Sequence, residues 1–269
     1  MFIMFNTDNI RTGCNKSMSL KDFFKKYPRV ALGFSGGVDS AFLLWAAKNY
    51  GAKVGAYYVS TAFQPAFERE DAMRLAAQIG LVPRILELDI LSCEEVVSNP
   101  EDRCYHCKKR IFGAVAKRAL EDGYQVLIDG TNASDDSSDR PGMRALKELH
   151  VLSPLRMCGL TKPEIRRRSR EAGLFTWNKP AYACLATRTS AGERLTAEKL
   201  KRTEAAEAAM HEMGFSDFRI RHTGDDALIE VTKEQLRMME QREPEVTQIL
   251  KRLGYGTVTV SAEARKPSL

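Results

Sequence analysis

The chain has 269 residues, 43% of them hydrophobic and 28% charged, so it can bury a core as one large domain or as two modest ones. Its 41 basic residues exceed its 35 acidic ones to give a net charge of +6, a mild excess that suits an anionic ligand such as a nucleotide without requiring nucleic acid. No apolar run approaches the roughly 20 residues of a spanning helix, and the opening Met1-Phe2-Ile3-Met4-Phe5 lacks a basic leader and a cleavage site. The expectation is a cytoplasmic protein with no membrane partner.

From Arg29 onward, short apolar runs alternate with amphipathic stretches, at 30–34, 41–48, 54–59, 68–79 and 84–88. This is the pattern of βαβ units around a parallel sheet. A further helix is expected over 105–120, then a strand at 125–128 and a polar turn from Asp129 to Asp136. Thr161 and Glu164 have the spacing of a capping box at the head of a helix over 161–172, which Gly173 would end. The stretch 178–192, with Pro180, Cys184 and Arg188, lacks periodicity and reads as an ordered connecting loop. Beyond it come a helix over 197–213, strands at 217–222 and 227–231 joined at Gly224, helical pieces over 233–253 and a strand at 257–260. The expected architecture is α/β: a domain built on a Rossmann-like parallel sheet over 1–180, then a small α+β domain over 190–269 for substrate binding or oligomerisation.

At the first strand-to-helix junction stands Ser35-Gly36-Gly37-Val38-Asp39-Ser40. Phosphate oxygens need several donors converging in a small space, and a Gly-Gly turn entering a helix supplies bare N–H groups and the positive end of the helix dipole. Ligands in such sheets gather at the carboxyl ends of strands, where the turn bearing Gly130 and Thr131 also falls. No Lys-Ser/Thr pair follows the glycines, so cleavage at the γ-phosphate by a Walker-type loop is disfavoured and pyrophosphate release is expected. Asp39 suits either a Mg2+ ligand or a helix cap. The block resembles the PP-loop signature of the ATP-pyrophosphatase superfamily, with its HUP-like fold. That resemblance implies cleavage of ATP between its α- and β-phosphates, with Mg2+, to leave an adenylated substrate. The nucleotide contacts it implies are Ser35, Gly36, Gly37, Val38, Asp39, Ser40, Gly130 and Thr131.

Six cysteines in a chain of this length and charge do not read as a disulfide scaffold. Cys104 and Cys107 lie three residues apart at a predicted helix start, where they share a face and the dipole favours thiolate. A structural zinc site would need a second such pair, which is missing, and a redox pair is the other reading. Adding Cys184 gives three thiols, enough for an iron-sulfur cluster with one open iron. Cys14, Cys93 and Cys158 read as small buried hydrophobes.

Several blocks together resemble one family. They are Asn99-Pro100-Glu101-Asp102-Arg103-Cys104-Tyr105-His106-Cys107-Lys108-Lys109, Asp129-Gly130-Thr131-Asn132, Arg140-Pro141-Gly142, Ser153-Pro154-Leu155, Cys184-Leu185-Ala186-Thr187-Arg188 and Arg219-Ile220-Arg221-His222. Their content and order, from about Val30 to the end, are similar to the LarE family, the ATP-dependent sulfur transferases of nickel-pincer nucleotide biosynthesis. Membership implies that AMP activates the carboxylates of pyridinium biscarboxylate mononucleotide and that sulfur then enters to give thiocarboxylates. One branch of the family sacrifices the sulfur of a single cysteine. This chain is similar to the three-cysteine branch, which implies a 4Fe-4S cluster held by Cys104, Cys107 and Cys184; consumption of Cys184 alone is the alternative. Resemblance also implies a homo-oligomer and leaves the sulfur source unknown.

For the mononucleotide substrate, guanidinium groups are the natural phosphate partners, and Arg219 and Arg221 share one face of a predicted strand. Arg188 follows Cys184 closely enough to face the reacting carboxylate, and Glu207 is a further substrate candidate. The catalytic set expected is therefore Cys184, Asp39 and Arg188. The rival reading is a tRNA thiolase, which combines the same loop with three cysteines; against nucleic acid stands positive charge that is interspersed with acidic residues and forms no stripe.

Overall fold

The computed structural model describes residues 18–135 and 140–266. In chain order its helices and strands are α1 (Leu20–Lys26), β1 (Arg29–Gly33), α2 (Val38–Asn49), β2 (Lys53–Ser60), α3 (Ala66–Ile79), β3 (Arg84–Glu87), α4 (Glu94–Val97), α5 (Arg103–Glu121), β4 (Leu127–Ile128), α6 (Pro141–Glu148), α7 (Pro154–Met157), α8 (Lys162–Glu171), α9 (Ala197–Glu212), β5 (Arg219–Thr223), β6 (Asp226–Glu230), α10 (Leu236–Arg252) and β7 (Val258–Val260). They fall into two compact units. The first holds 18–61, 66–88 and 104–179; the second holds 62–65, 89–103 and 180–266.

The first unit is a parallel sheet in the order β3-β2-β1-β4. The interior strand β1 reads Arg-Val-Ala-Leu-Gly because it is covered on both faces: Val30, Ala31 and Leu32 are all fully buried. Alternation sends Val30 and Leu32 into one core with Phe42, Leu44 and Leu75. Ala31 points into the other, with Tyr57, Val115 and Leu127. The helix α2 is apolar nearly all round, as befits one packed in the interior of the layer. The result is the Rossmann-like α/β fold expected from the alternation of runs.

The second unit is a three-stranded sheet, β5-β6-β7, backed by α9 and α10. β5 and β6 form the antiparallel hairpin expected at Gly224, whose φ of 60° is the left-handed conformation a tight hairpin turn requires. Ile220, Ala227 and Ile229 pack against Met210, Val246 and Leu250 on the inner face.

Two local expectations are modified. Thr161 is the N-cap of α8, yet its side chain makes no capping bond, and Glu164 pairs with Arg167 and Arg168. The aperiodic stretch 178–192 contains one turn of 3-10 helix, Leu185–Arg188, immediately after Cys184. Asp136, the last residue of the predicted polar turn, and Cys14 lie outside the described residues.

Candidate active site

In the first unit, the bend after β1 is laced by its own serines. The Ser35 N–H donates to Ser40 Oγ at 3.3 Å, Ser40 Oγ donates to the Gly37 carbonyl at 3.2 Å, and the Gly37 N–H reaches Ser35 Oγ at 3.4 Å. Gly37 is the N-cap of α2 and offers no side chain to the first-turn N–H groups. Those of Val38, Asp39 and Ser40 precede the first helical bond, which runs from Ala41 N–H to the Gly37 carbonyl at 2.9 Å. Two glycines are dictated by close approach. Gly36 sits at φ 78°, and a Cβ there would lie 2.6 Å from Ala72 Cβ. At Gly130, a Cβ would lie 2.9 Å from the Ser40 backbone nitrogen, so only glycine lets the turn after β4 close on the head of α2. The structure thus brings Gly130 against Ser40, and the two turns share one end of the sheet.

Asp39, in the first turn of α2, receives Lys162 Nζ at 2.6 Å and the Asn132 side-chain amide at 3.4 Å. Burial raises the Asp39 carboxyl above the ordinary carboxylate range, and the Lys162 ammonium opposes that rise. Thr131 Oγ1 donates to Asp129 Oδ2, and Ser153 Oγ donates to Asp129 Oδ1 at 2.7 Å, so the Thr131 hydroxyl is engaged in holding its own turn. Lys162 was not a candidate from sequence reading. The signal was there: it occupies the first position of α8, where a cation faces the positive end of the helix dipole and needs a carboxylate to justify it.

Also in the first unit, Cys104 is exposed and Cys107 half-buried, one turn apart on α5. Tyr105 between them is flanked by Arg144 at 4.1 Å and Lys109 at 5.1 Å from its ring centre, and its hydroxyl donates to Glu148 Oε2 at 2.7 Å. The described cysteines form no disulfide with one another, and among the described residues no three His, Cys, Asp or Glu side chains are gathered as a metal site.

In the second unit, Cys184 is half-buried at the head of the 3-10 turn. Arg188 is fully buried and pairs with Glu207, Nε to Oε1 at 2.6 Å and Nη2 to Oε2 at 3.1 Å. Its remaining nitrogen, Nη1, donates to Thr187 Oγ1 at 2.7 Å and to the Ala183 carbonyl at 3.2 Å. Glu207 also accepts from the Tyr182 hydroxyl at 2.5 Å and the Ile220 N–H at 3.2 Å. Burial, then Glu207, raises the Tyr182 hydroxyl far above its usual range, so Tyr182 is a fixed donor. Arg188 and Glu207 therefore spend their polar atoms on each other and on their own unit. Arg219 is also buried, bonding the Phe218 and Ala181 carbonyls at 2.6 and 3.1 Å, and burial pulls its guanidinium down to about 10. Arg221 is half-exposed, pairing with Glu230 at 2.7 Å and donating to the Thr187 carbonyl at 3.1 Å.

A glycine bend after an interior parallel strand, an uncapped helix head and a first-turn aspartate make the first unit a PP-loop fold of the ATP-pyrophosphatase type. No family model matches the chain. It is 34% identical over 255 residues to an uncharacterized protein of Synechocystis sp., covering 93% of this chain and 94% of the relative. Pyridinium-3,5-bisthiocarboxylic acid mononucleotide synthase of Lactiplantibacillus plantarum is 29% identical over 251 residues, 93% of this chain and 91% of the relative. The tRNA-specific 2-thiouridylase MnmA of Thermotoga maritima is 26% identical over 196 residues, 56% of this chain and 54% of the relative. The chain belongs to the LarE family of sulfur transferases within the PP-loop superfamily.

Proposed function

We propose that the chain is an ATP-dependent sulfur transferase that adenylates the carboxylates of pyridinium biscarboxylate mononucleotide and converts them to thiocarboxylates for the nickel-pincer nucleotide. The observation that carries this reading is the uncapped, glycine-lined head of α2, joined to near full-length similarity to a synthase of the bisthiocarboxylate.

The N–H groups of Val38, Asp39 and Ser40 would bind the β- and γ-phosphates of ATP, and a substrate carboxylate oxygen would attack the α-phosphorus, releasing pyrophosphate. Asp39 fits a role in holding the Mg2+ that accompanies ATP, since its half-buried carboxylate already takes a cation, Lys162, in the substrate-free protein. Lys162 would then turn to the phosphates. The acyl adenylate carries AMP as leaving group, and a sulfur nucleophile adding to the acyl carbon expels it to form the thiocarboxylate. Half-exposed Arg221 is the phosphate contact for the substrate mononucleotide.

For the sulfur, Cys104, Cys107 and Cys184 would be the ligands of a 4Fe-4S cluster. Exposed Cys104 and half-buried Cys107, one turn apart on α5, suit two of those positions. When bound, such a cluster supplies an iron with an open position for sulfide. In the second reading, Cys184 attacks the acyl adenylate itself and loses its sulfur by elimination to dehydroalanine. Anaerobic purification with iron and sulfide analysis, then intact mass before and after turnover, separates them: loss of the mass of hydrogen sulfide from the Cys184 peptide in iron-free protein defeats the cluster.

The enzyme would act in the cytoplasm as a homo-oligomer; no helix among the described residues is long and apolar enough to cross a membrane. A tRNA thiolase is opposed by the partial extent of the MnmA similarity, 56% of the chain. Salt-dependent tRNA binding, with no turnover of the pyridinium mononucleotide, would favour it.

A further inference from the structure

The backbone on both sides of Cys184 is held by side chains at its carbonyl oxygens. Arg219 donates to Ala181 at 3.1 Å, Arg188 to Ala183 at 3.2 Å and Arg103 to Ala186 at 2.9 Å. The Cys184 carbonyl itself accepts from Thr187 Oγ1 at 2.8 Å, and Asn99 donates to Ser190 at 2.7 Å. All of these residues belong to the second unit. The donors are anchored in turn. Glu207 takes two nitrogens of Arg188, Asn99 Oδ1 accepts from Arg103, and the Tyr182 ring lies 4.9 and 5.7 Å from the guanidinium carbons of Arg188 and Arg219.

Stability alone does not account for this arrangement. Arg103, Arg188 and Arg219 are each less than a tenth exposed, and burying a guanidinium carries a desolvation cost that well-packed apolar side chains avoid. What such side chains could not supply is directional hold on a loop with no regular ladder of its own. A guanidinium fixes several acceptors at once in one plane, so it sets backbone orientation as well as position.

We propose that Arg103, Arg188 and Arg219, anchored by Asn99, Glu207 and Tyr182, are positioning residues that fix the Cys184 thiol in a single orientation before substrate arrives. The inference rests on the reading of Cys184 as a residue of the sulfur chemistry, and it gives Arg188 and Glu207 that task in place of substrate contact. A thiol held in this way reacts slowly with reagents that need the loop to open. Loosening the brace frees it locally, without unfolding the domain.

The test is alkylation of the full-length protein by iodoacetamide, with the rate at each cysteine read by peptide mass spectrometry. The protein is first freed of iron, so that Cys104 and Cys107 serve as internal references. Arg188→Lys keeps the charge and loses the two-pronged grip; Tyr182→Phe removes one hydrogen bond and keeps the ring, and it decides the matter if Arg188→Lys does not fold. The expected result is Cys184 alkylation at least tenfold faster in Arg188→Lys and about threefold faster in Tyr182→Phe, with Cys104 and Cys107 within twofold of wild type. In turnover, kcat falls while KM for the pyridinium mononucleotide stays within twofold. Cys184 rates within twofold of wild type in both variants overturn the proposal, as do rates that rise in parallel at all three cysteines, which would report general loosening. Wild-type protein that makes no thiocarboxylate, with the selective rise at Cys184 still seen in the variants, contradicts the proposed reaction and leaves the brace standing.

Discussion

Replacing Gly36 by alanine separates the phosphate bend from an ordinary turn. At φ 78°, an alanine costs about 1–2 kcal/mol for the left-handed conformation alone. Its Cβ would also lie 2.6 Å from Ala72 Cβ and 2.8 Å from Ala72 Cα, where carbon atoms prefer about 3.5–4.0 Å. Neither group has a rotamer to escape into, so the bend or α3 must shift, and such overpacking costs about 1–3 kcal/mol. The sum is about 2–5 kcal/mol, divided between lost stability and a displaced bend. Gly51 is the control: its φ is 79°, but nothing lies within 4 Å of a Cβ there, so Gly51→Ala costs only the first part. The assay is thermal unfolding with and without Mg-ATP, since a ligand at a hundred times its Kd stabilises by about 2.7 kcal/mol. Gly51→Ala should melt modestly lower and keep the whole ATP-induced shift, whereas Gly36→Ala should melt lower still and lose most of that shift. A Gly36→Ala protein with the wild-type ATP shift would refute the assignment of this bend to phosphate.

Lys162→Met removes the cation 2.6 Å from Asp39; the Asp39 carboxyl should rise further, so ATP-dependent pyrophosphate release should fall at least tenfold at neutral pH and the acid limb of its pH profile should move to higher pH. Arg188→Met strands the buried Glu207 carboxylate, and the second unit should lose about 3–5 kcal/mol of stability in denaturant titrations. His222 is buried, with Nε2 bonded by Thr189 and Thr203, and burial holds its pKa below 6.5. The unfolded chain therefore takes up a proton that the folded one resists: stability should be full above about pH 6.5 and drop as pH falls below it, a dependence that His222→Gln should remove from the unfolding curves.

The fold was legible because β1, β2 and α2 each carry a continuous apolar run inside polar ends, as elements covered on both faces do, and that pattern survives in one sequence. The glycine bend itself was legible because glycines at positive φ or at close approach leave a mark no other residue can substitute. The second unit's polar core was not. Arg188 and Glu207 are 19 positions apart, on a loop and a helix, and each looks like a surface residue by composition; only tertiary packing makes them one buried pair. The burial of Arg219 went unread for the same reason, since strand alternation gives its face but not whether that face meets solvent or the Ala181 carbonyl. The short helices α6 and α7 also went unread: four to eight residues hold too few turns for periodicity to register.

The most direct measurement is a single-turnover reaction with ATP, Mg2+ and pyridinium biscarboxylate mononucleotide, in which pyrophosphate and the mass of the nucleotide are followed together. Wild-type protein should release pyrophosphate in step with each exchange of oxygen for sulfur, and Cys184→Ser should release pyrophosphate without any gain of sulfur. Sulfur gained without pyrophosphate, or thiocarboxylate formed at the wild-type rate by Cys184→Ser, would contradict ATP-driven transfer through this cysteine.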